Sequence, residues 1–261
     1  MIKLVATDMD GTLLDNDSLL PDNIVEVLDL LDSKDIPFVA ASGRSLHSIE
    51  DKFQDLSKRI CIVSDNGAVV KHKGDIVFSS VISKDDWLRI GKASLASKET
   101  SVVFIGIDKA FRIVQDDSHA DMLNDYFGYS KVIQSMDEID VDIIKVTLLS
   151  LNSTKDNYDS VLNPQFGSEF NVVFGGEVWT DFMNKNVNKG TGLSRLLDLY
   201  KIDSDSLAAF GDYHNDIEML QLANHSYAVD NAHPVVKSVS KTVIGKNSDN
   251  AVLNKVIELV G

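Results

Sequence analysis

Apolar positions along the chain fall into two textures. Near the start, "IKLVAT" (2–7), "PFVAAS" (37–42) and "RICIVS" (59–64) are short continuous apolar runs, the pattern of strands covered on both faces. Between them the spacing is helical. "PDNIVEVLDLLDSKDI" (21–36) sets Ile24, Leu28 and Leu31 on one side behind Pro21, which suits a first helical turn, and "SLHSIEDKFQDL" (45–56) reads as a second helix. Strand, helix, strand, helix, strand predicts parallel pairing through crossover helices.

The rhythm changes after "DNGAVVKHKGDIVFSS" (65–80). Residues 101–116 read as paired strands across a short turn, 142–151 and 171–183 as further strands, and 83–98 and 156–166 as partly helical. This stretch has the length of an ordinary α+β domain. From Lys189 the first rhythm returns. "KGTGLSRLLDLYKI" is a helix with Leu193, Leu196, Leu197 and Tyr200 on one side, "SLAAFGD" (206–212) is a strand ending in an acid, and "NDIEMLQLA" (215–223) is a helix. "SYAVDNA" (226–232) and "KTVI" (241–244) close the series as short strands. The expected fold class is α/β: a Rossmann-like parallel-sheet core over residues 1–82 and 184–261, interrupted by an inserted α+β domain over 83–183.

In such sheets ligands bind beyond the carboxyl ends of the strands, and polar signals gather there. Asp8 and Asp10 close the first run, Ser42, Gly43 and Arg44 the second, and Asp212 closes "LAAFG". Residues two apart in an extended strand share a side, so Asp8 and Asp10 are expected to reach one ligand together. Neighbouring carboxylates repel, and a divalent cation that takes oxygen ligands, such as Mg²⁺, removes the problem. Histidine and cysteine do not cluster for zinc; His214, beside Asn215, reads as a solitary loop residue. Asp and Gly also favour turns, so D-x-D-G means little alone. That reading becomes poor once "ASGR", "NKG" and "GDYHNDIEML" follow in order.

Composition alters this picture in a few places. Apolar residues at 44 % and charged residues at 25 % describe an ordinary globular chain. A formal charge of -15 over 261 residues repels phosphate backbones and argues against nucleic-acid partners. It also requires strong local positive charge in any phosphate-binding site. Lys189 opens a predicted helix, where the dipole disfavours a cation unless an anion is near; a solvated surface lysine is the plainer alternative. The single cysteine, Cys61, excludes a disulfide framework and reads as a buried thiol. A basic-then-apolar leader and an apolar run of the ~20 residues that span a bilayer are both missing, so a cytoplasmic, membrane-free protein is expected.

The ordered motifs resemble the haloacid dehalogenase superfamily, and within it the Cof-type phosphatases with a C2B-type cap, over essentially the whole chain. D-x-D-G-T-L matches Asp8 to Leu13, the motif hydroxyl matches Ser42 where threonine is commoner, K-G matches Lys189, and G-D-x-x-N-D matches Gly211 to Asp216. "DNGA" (65–68) looks like the subfamily's N-G-A segment, and Tyr213 and His214 fill variable positions. The resemblance implies Asp8 as nucleophile and Asp10 as general acid and base. It implies Mg²⁺ held by Asp8, the Asp10 carbonyl and Asp212, with Asp216 in support. Ser42, Gly43, Lys189 and Asn215 would bind phosphate, while Arg44 is open between substrate contact and structural ion pair. The expected substrate is a small phosphorylated metabolite, a sugar phosphate or a phosphorylated cofactor, handled by a monomer or small homo-oligomer. A phosphomutase on the same fold and a non-catalytic phosphometabolite-binding module are the alternatives; the intact acids and lysine argue against the latter. In the inserted domain, Trp87, Phe104, Tyr126 and Trp179 are expected in the core rather than on a ligand.

Overall fold

The computed structural model describes residues 1–96, 99–151, 158–175 and 178–261. Contacts divide the chain into two units, one comprising Met1–Ser79 and Asn188–Gly261, the other Ser80–Val187.

The first unit is built on one sheet: β1 (Leu4–Thr7), β2 (Phe38–Ala41), β3 (Cys61–Ser64), β4 (Val69–His72), β5 (Asp75–Ser79), β12 (Leu207–Gly211), β13 (His225–Ala228) and β14 (Thr242–Val243). They lie in the order β14-β13-β12-β1-β2-β3-β4-β5. Pairing is parallel from β14 to β3, and β4 and β5 add an antiparallel hairpin. Strands β1, β2, β3 and β12 are buried along their whole length, which is why their sequences run apolar without alternating. The hairpin turns at Lys73 and Gly74, both with positive φ, the geometry that matches the twist of the flanking strands. Helices Ile24–Asp32 and Ala251–Val260 pack against each other, and helix Lys189–Tyr200 packs against helix Ile217–Leu222 and β4.

The second unit is a mixed sheet in the order β10-β11-β9-β6-β7-β8, from β6 (Ser101–Ile105), β7 (Ala110–Ile113), β8 (Lys131–Val132), β9 (Lys145–Leu149), β10 (Phe170–Gly175) and β11 (Trp179–Asn184). All its pairs are antiparallel except β7 with β8. The stretch 171–183, expected as strand, falls in two paired strands where it is described, β10 and β11. Helix Lys84–Ser94 is capped by Ser83, whose hydroxyl accepts the Asp86 amide at 3.2 Å. It contributes Trp87 and Ile90 to a core with Phe104, Val146, Leu148, Phe166 and Phe182. The expected ends of this helix at 97–98, the start of the segment 156–166 and positions 176–177 lie outside the described residues.

Trp87 and Phe104 sit in the core as expected, edge to face at 5.6 Å. Tyr126 does not: it is 65 % exposed and lies edge-on to the half-buried Trp179 at 5.5 Å. Its helix, Ala120–Phe127, buries Leu123 and leaves Tyr126 exposed.

Candidate active site

Three strands end together. Thr7, the last residue of β1, pairs with Phe210 of β12 and Ala40 of β2, and the Asp8 amide still donates to the Phe210 carbonyl at 2.9 Å before the chain leaves the sheet. Ser42 and Asp212 likewise follow the last residues of β2 and β12. Because β1 lies between those two strands, Asp8, Ser42 and Asp212 emerge on one rim, where the strand order reverses.

Asp10 departs from expectation. The strand stops at Thr7, and Met9–Leu13 forms a tight turn in which the Leu13 amide reaches back to the Asp8 carbonyl at 3.2 Å and the Leu14 amide to Met9 at 2.8 Å. Asp8 and Asp10 therefore do not share one side of a strand, contrary to expectation. The half-exposed Asp10 carboxylate is gripped by Arg44 instead, Nε to Oδ2 at 2.7 Å and Nη2 to Oδ1 at 2.6 Å. The carboxylates that do gather with Asp8 are Asp212 and Asp216, each with an oxygen within 4.8 Å of the others. Gly11 makes this possible: its φ is 75°, and a side chain there would begin 2.4 Å from Asp212 Oδ2. Next to it, Thr12 donates its hydroxyl to Asp212 Oδ1 at 3.1 Å.

Lys189 is fully buried, not a solvated surface lysine. Its Nζ donates to Asp8 Oδ1 at 2.5 Å and Asp216 Oδ1 at 2.6 Å. It opens helix Lys189–Tyr200, capped by Asn188, whose Oδ1 accepts the Thr191 amide at 2.8 Å. A cation at that helix end is unfavourable, and the two carboxylates offset the cost. Asp216 is held by its own loop, Oδ2 accepting the amides of Asp212 at 2.9 Å and Tyr213 at 3.0 Å.

Two acids share one buried ammonium with a third, Asp212, beside them, and protonation equilibria respond accordingly. Burial, and after it the Asp216 charge, push Asp8 well above the usual carboxylate range although Lys189 opposes the shift. Burial alone would discharge Lys189, but Asp216 and Asp8 together hold it charged and above the ordinary lysine range. Burial and Asp216 push Asp212 up to about 6. A carboxyl raised on folding adds stability below its unfolded value near 3.8, and that stability is lost as pH rises through about 6. Metal-free Asp212→Asn is therefore expected to melt above wild type at pH 8, with the gap closing towards pH 4. Thermal melts of both proteins in chelator across that range check this; a gap independent of pH would assign the effect to packing.

The other expected residues lie nearby. Ser42 is buried and its Oγ accepts the Arg44 amide at 3.1 Å. Gly43 lies against Asn66, and Asn215 Nδ2 donates to Asn66 Oδ1 at 3.0 Å. Asn66 and Thr12 carry contacts that sequence reasoning did not assign; the signal available for Asn66 was an Asp-Asn-Gly run, which favours left-handed turns. His214 is not solitary: its ring lies 4.3 Å from that of His233, whose amide donates to the Asp212 carbonyl at 2.9 Å. Neither histidine joins the carboxylate group among the described residues. Cys61 packs with its sulfur 3.6 Å from the Tyr200 hydroxyl, and burial pushes its thiol up, away from reactive thiolate character.

Residues 5–256 match the family model of haloacid dehalogenase-like hydrolases. The chain is 28 % identical over 255 residues to the 5-amino-6-(5-phospho-D-ribitylamino)uracil phosphatase YbjI of Escherichia coli, covering 97 % of this chain and 94 % of that one. It superposes on the structure of SMU.1108c from Streptococcus mutans with a TM-score of 0.89 at 26 % identity, over 100 % and 99 % of the two chains. The subclass IIB sugar phosphatase BT4131 of the same superfamily shares the fold, with a TM-score of 0.83 at 18 % identity over 98 % of each chain. The chain belongs to the haloacid dehalogenase-like hydrolase family and carries the fold of its subclass IIB phosphatases.

Proposed function

We propose that the protein is a Mg²⁺-dependent phosphatase that hydrolyses a small phosphorylated metabolite through an aspartyl-phosphate on Asp8. The observation that carries this reading is the Lys189 ammonium, 2.5 Å from Asp8 and 2.6 Å from Asp216 in a fully buried setting beside Asp212. One lysine against three acids leaves an excess of negative charge, and the acids offer only oxygen. Such a donor set fits a hard divalent cation. Asp8, Asp212 and the Asp10 carbonyl would hold it, since both Asp216 oxygens already serve Lys189 and the loop amides. A bound Mg²⁺ would supply neutralising charge to the transferring phosphoryl group, the main need of such reactions.

The chain's own residues divide the work. An Asp8 oxygen attacks phosphorus as the ester P–O bond breaks, and Asp10 gives its proton to the departing alcohol. Water then attacks phosphorus, Asp10 takes back a proton, and the bond from phosphorus to Asp8 breaks to release phosphate. Lys189 keeps the Asp8 oxygen oriented and spreads the phosphoryl charge. The Ser42 hydroxyl, the Gly43 amide and Asn215 grip phosphate oxygens. Arg44 holds the Asp10 carboxylate in the substrate-free site, the structural ion pair of the two roles considered for it, and Asp10 has to leave that pairing to carry a proton.

Sugar and ribityl phosphates head the substrate range, because the E. coli relative acts, by its name, on a ribityl phosphate. Released phosphate should be measured over a panel of phosphomonoesters that includes that uracil derivative, hexose phosphates and p-nitrophenyl phosphate. EDTA is expected to lower turnover at least about 100-fold, with Mg²⁺ restoring it. Equal turnover in chelator would remove the metal from the reading, and isomerised sugar phosphate in place of free phosphate would select a mutase.

A further inference from the structure

The turn between β3 and β4 contains three consecutive left-handed residues: Asp65 (φ 49°), Asn66 (φ 54°, ψ 30°) and Gly67 (φ 101°). Such conformations are uncommon outside glycine, and a run of them persists only where the surroundings impose it. Here each residue meets a different part of the site. The Asp65 amide donates to the Arg44 carbonyl at 2.9 Å and the Asn66 amide to the Ser42 carbonyl at 3.0 Å, stitching the turn to the loop after β2. Gly67 approaches the Asn188 carbonyl so closely that a side chain would begin 2.2 Å from its oxygen. Asn188 caps the helix that Lys189 opens. Asn66 is only 8 % exposed, and its side chain accepts from Asn215 Nδ2 at 3.0 Å. Its carboxamide also lies against Gly43, where a side chain would begin 3.2 Å from Oδ1 and 3.4 Å from Nδ2.

We propose that Asn66 is a positioning residue of the phosphate site. Its carboxamide sets the spacing between the Ser42–Gly43 loop and Asn215, so that donors from both loops meet one phosphoryl group. The inference rests on the phosphatase reading above and adds a residue to it. A carboxamide suits the task because one end accepts from Asn215 while the flat neutral group packs on Gly43 without bringing negative charge towards phosphate. Asparagine also tolerates the left-handed backbone that aims it there.

Asn66→Gly separates this role from a purely structural one, because glycine adopts the same backbone freely and removes only the carboxamide. Steady-state hydrolysis of p-nitrophenyl phosphate and inhibition by orthovanadate are the readouts. Asn66→Gly is expected to raise both KM and the vanadate inhibition constant about tenfold, the scale of one lost hydrogen bond, with a smaller change in kcat and a melting temperature close to wild type. Asn215→Ala should raise the vanadate constant by a similar factor, and the double variant should fall short of the product of the two single effects, because the Asn66–Asn215 contact is common to both. An Asn66→Gly enzyme with wild-type KM and vanadate inhibition would overturn the proposal, as would single effects that multiply in the double variant. If Asn66→Gly fails to fold, a wild-type vanadate constant in Asn215→Ala overturns it equally. Wild-type protein without phosphatase activity would instead sink the reading of function itself.

Discussion

Asp8→Asn is expected to abolish turnover, with kcat falling at least about 10⁴-fold, while the protein remains folded and melts at or above the wild-type temperature. Losing the nucleophile removes the covalent route altogether, so the fall should appear in kcat with little change in substrate affinity. Stability should hold for two reasons. The asparagine oxygen still accepts from Lys189, whose Nζ lies 2.5 Å from Asp8 Oδ1. Burial already disfavours the charge that the substitution removes. Phosphate release, a melting curve and acid-quenched mass spectrometry for a phosphoryl adduct make the test, with the adduct expected on wild type and absent from the variant. A folded Asp8→Asn protein that still turns over at more than a trace would transfer the nucleophile's role to another group.

Lys189→Met carries the largest expected stability effect. It leaves Asp8 and Asp216 facing one another in a buried site with their shared cation gone. Breaking a buried pair in this way costs about 3–5 kcal/mol, far more than loss of a surface contact. The cost should depend on pH with a definite sign. Asp8 is raised by burial even with Lys189 present, so without it the folded protein holds a proton still more strongly. Stability is then retained at low pH and lost as pH rises, and the penalty relative to wild type should be small near pH 4 and full by pH 8. Urea melts of both proteins at several pH values check it. Adding Asp8→Asn to Lys189→Met should recover much of the stability without activity. A penalty that ignores both pH and the second substitution would mean that Lys189 contributes through packing of its aliphatic stem.

The two substitutions act on residues read from the chain in different ways. The place of Asp8 at a strand end was legible because an apolar run stops there; its role as nucleophile came from the family resemblance of the motif that begins there. Lys189 was half legible. The helix dipole signalled that an anion should be near, but burial and the identity of its partners came from contacts 181 and 27 residues away along the chain. Asp10 was misplaced in space although its motif was read correctly, because the boundary of β1 falls at Thr7 and no periodicity marks where a four-residue strand gives way to a turn. Tyr126 is exposed while Leu123 on the same helix is buried, because which positions of a short helix are covered depends on what packs against it.

The alternation of strand and helix, the interruption by a second unit, and the residue types at strand ends are written locally in the chain. Those are local properties, set by side-chain polarity and backbone preference over a few residues. Residue spacing does not reveal that β12 lies beside β1, so Asp212 was set beside Asp8 across 204 positions only by the family resemblance; that Asp10 turns to Arg44 and that Asn66 meets Asn215 across a separation of 149 emerged from the packed fold. The reason is physical: strand order and side-chain encounter depend on the packing of distant segments, and the free energy of those contacts leaves no imprint on the spacing of residues within either segment.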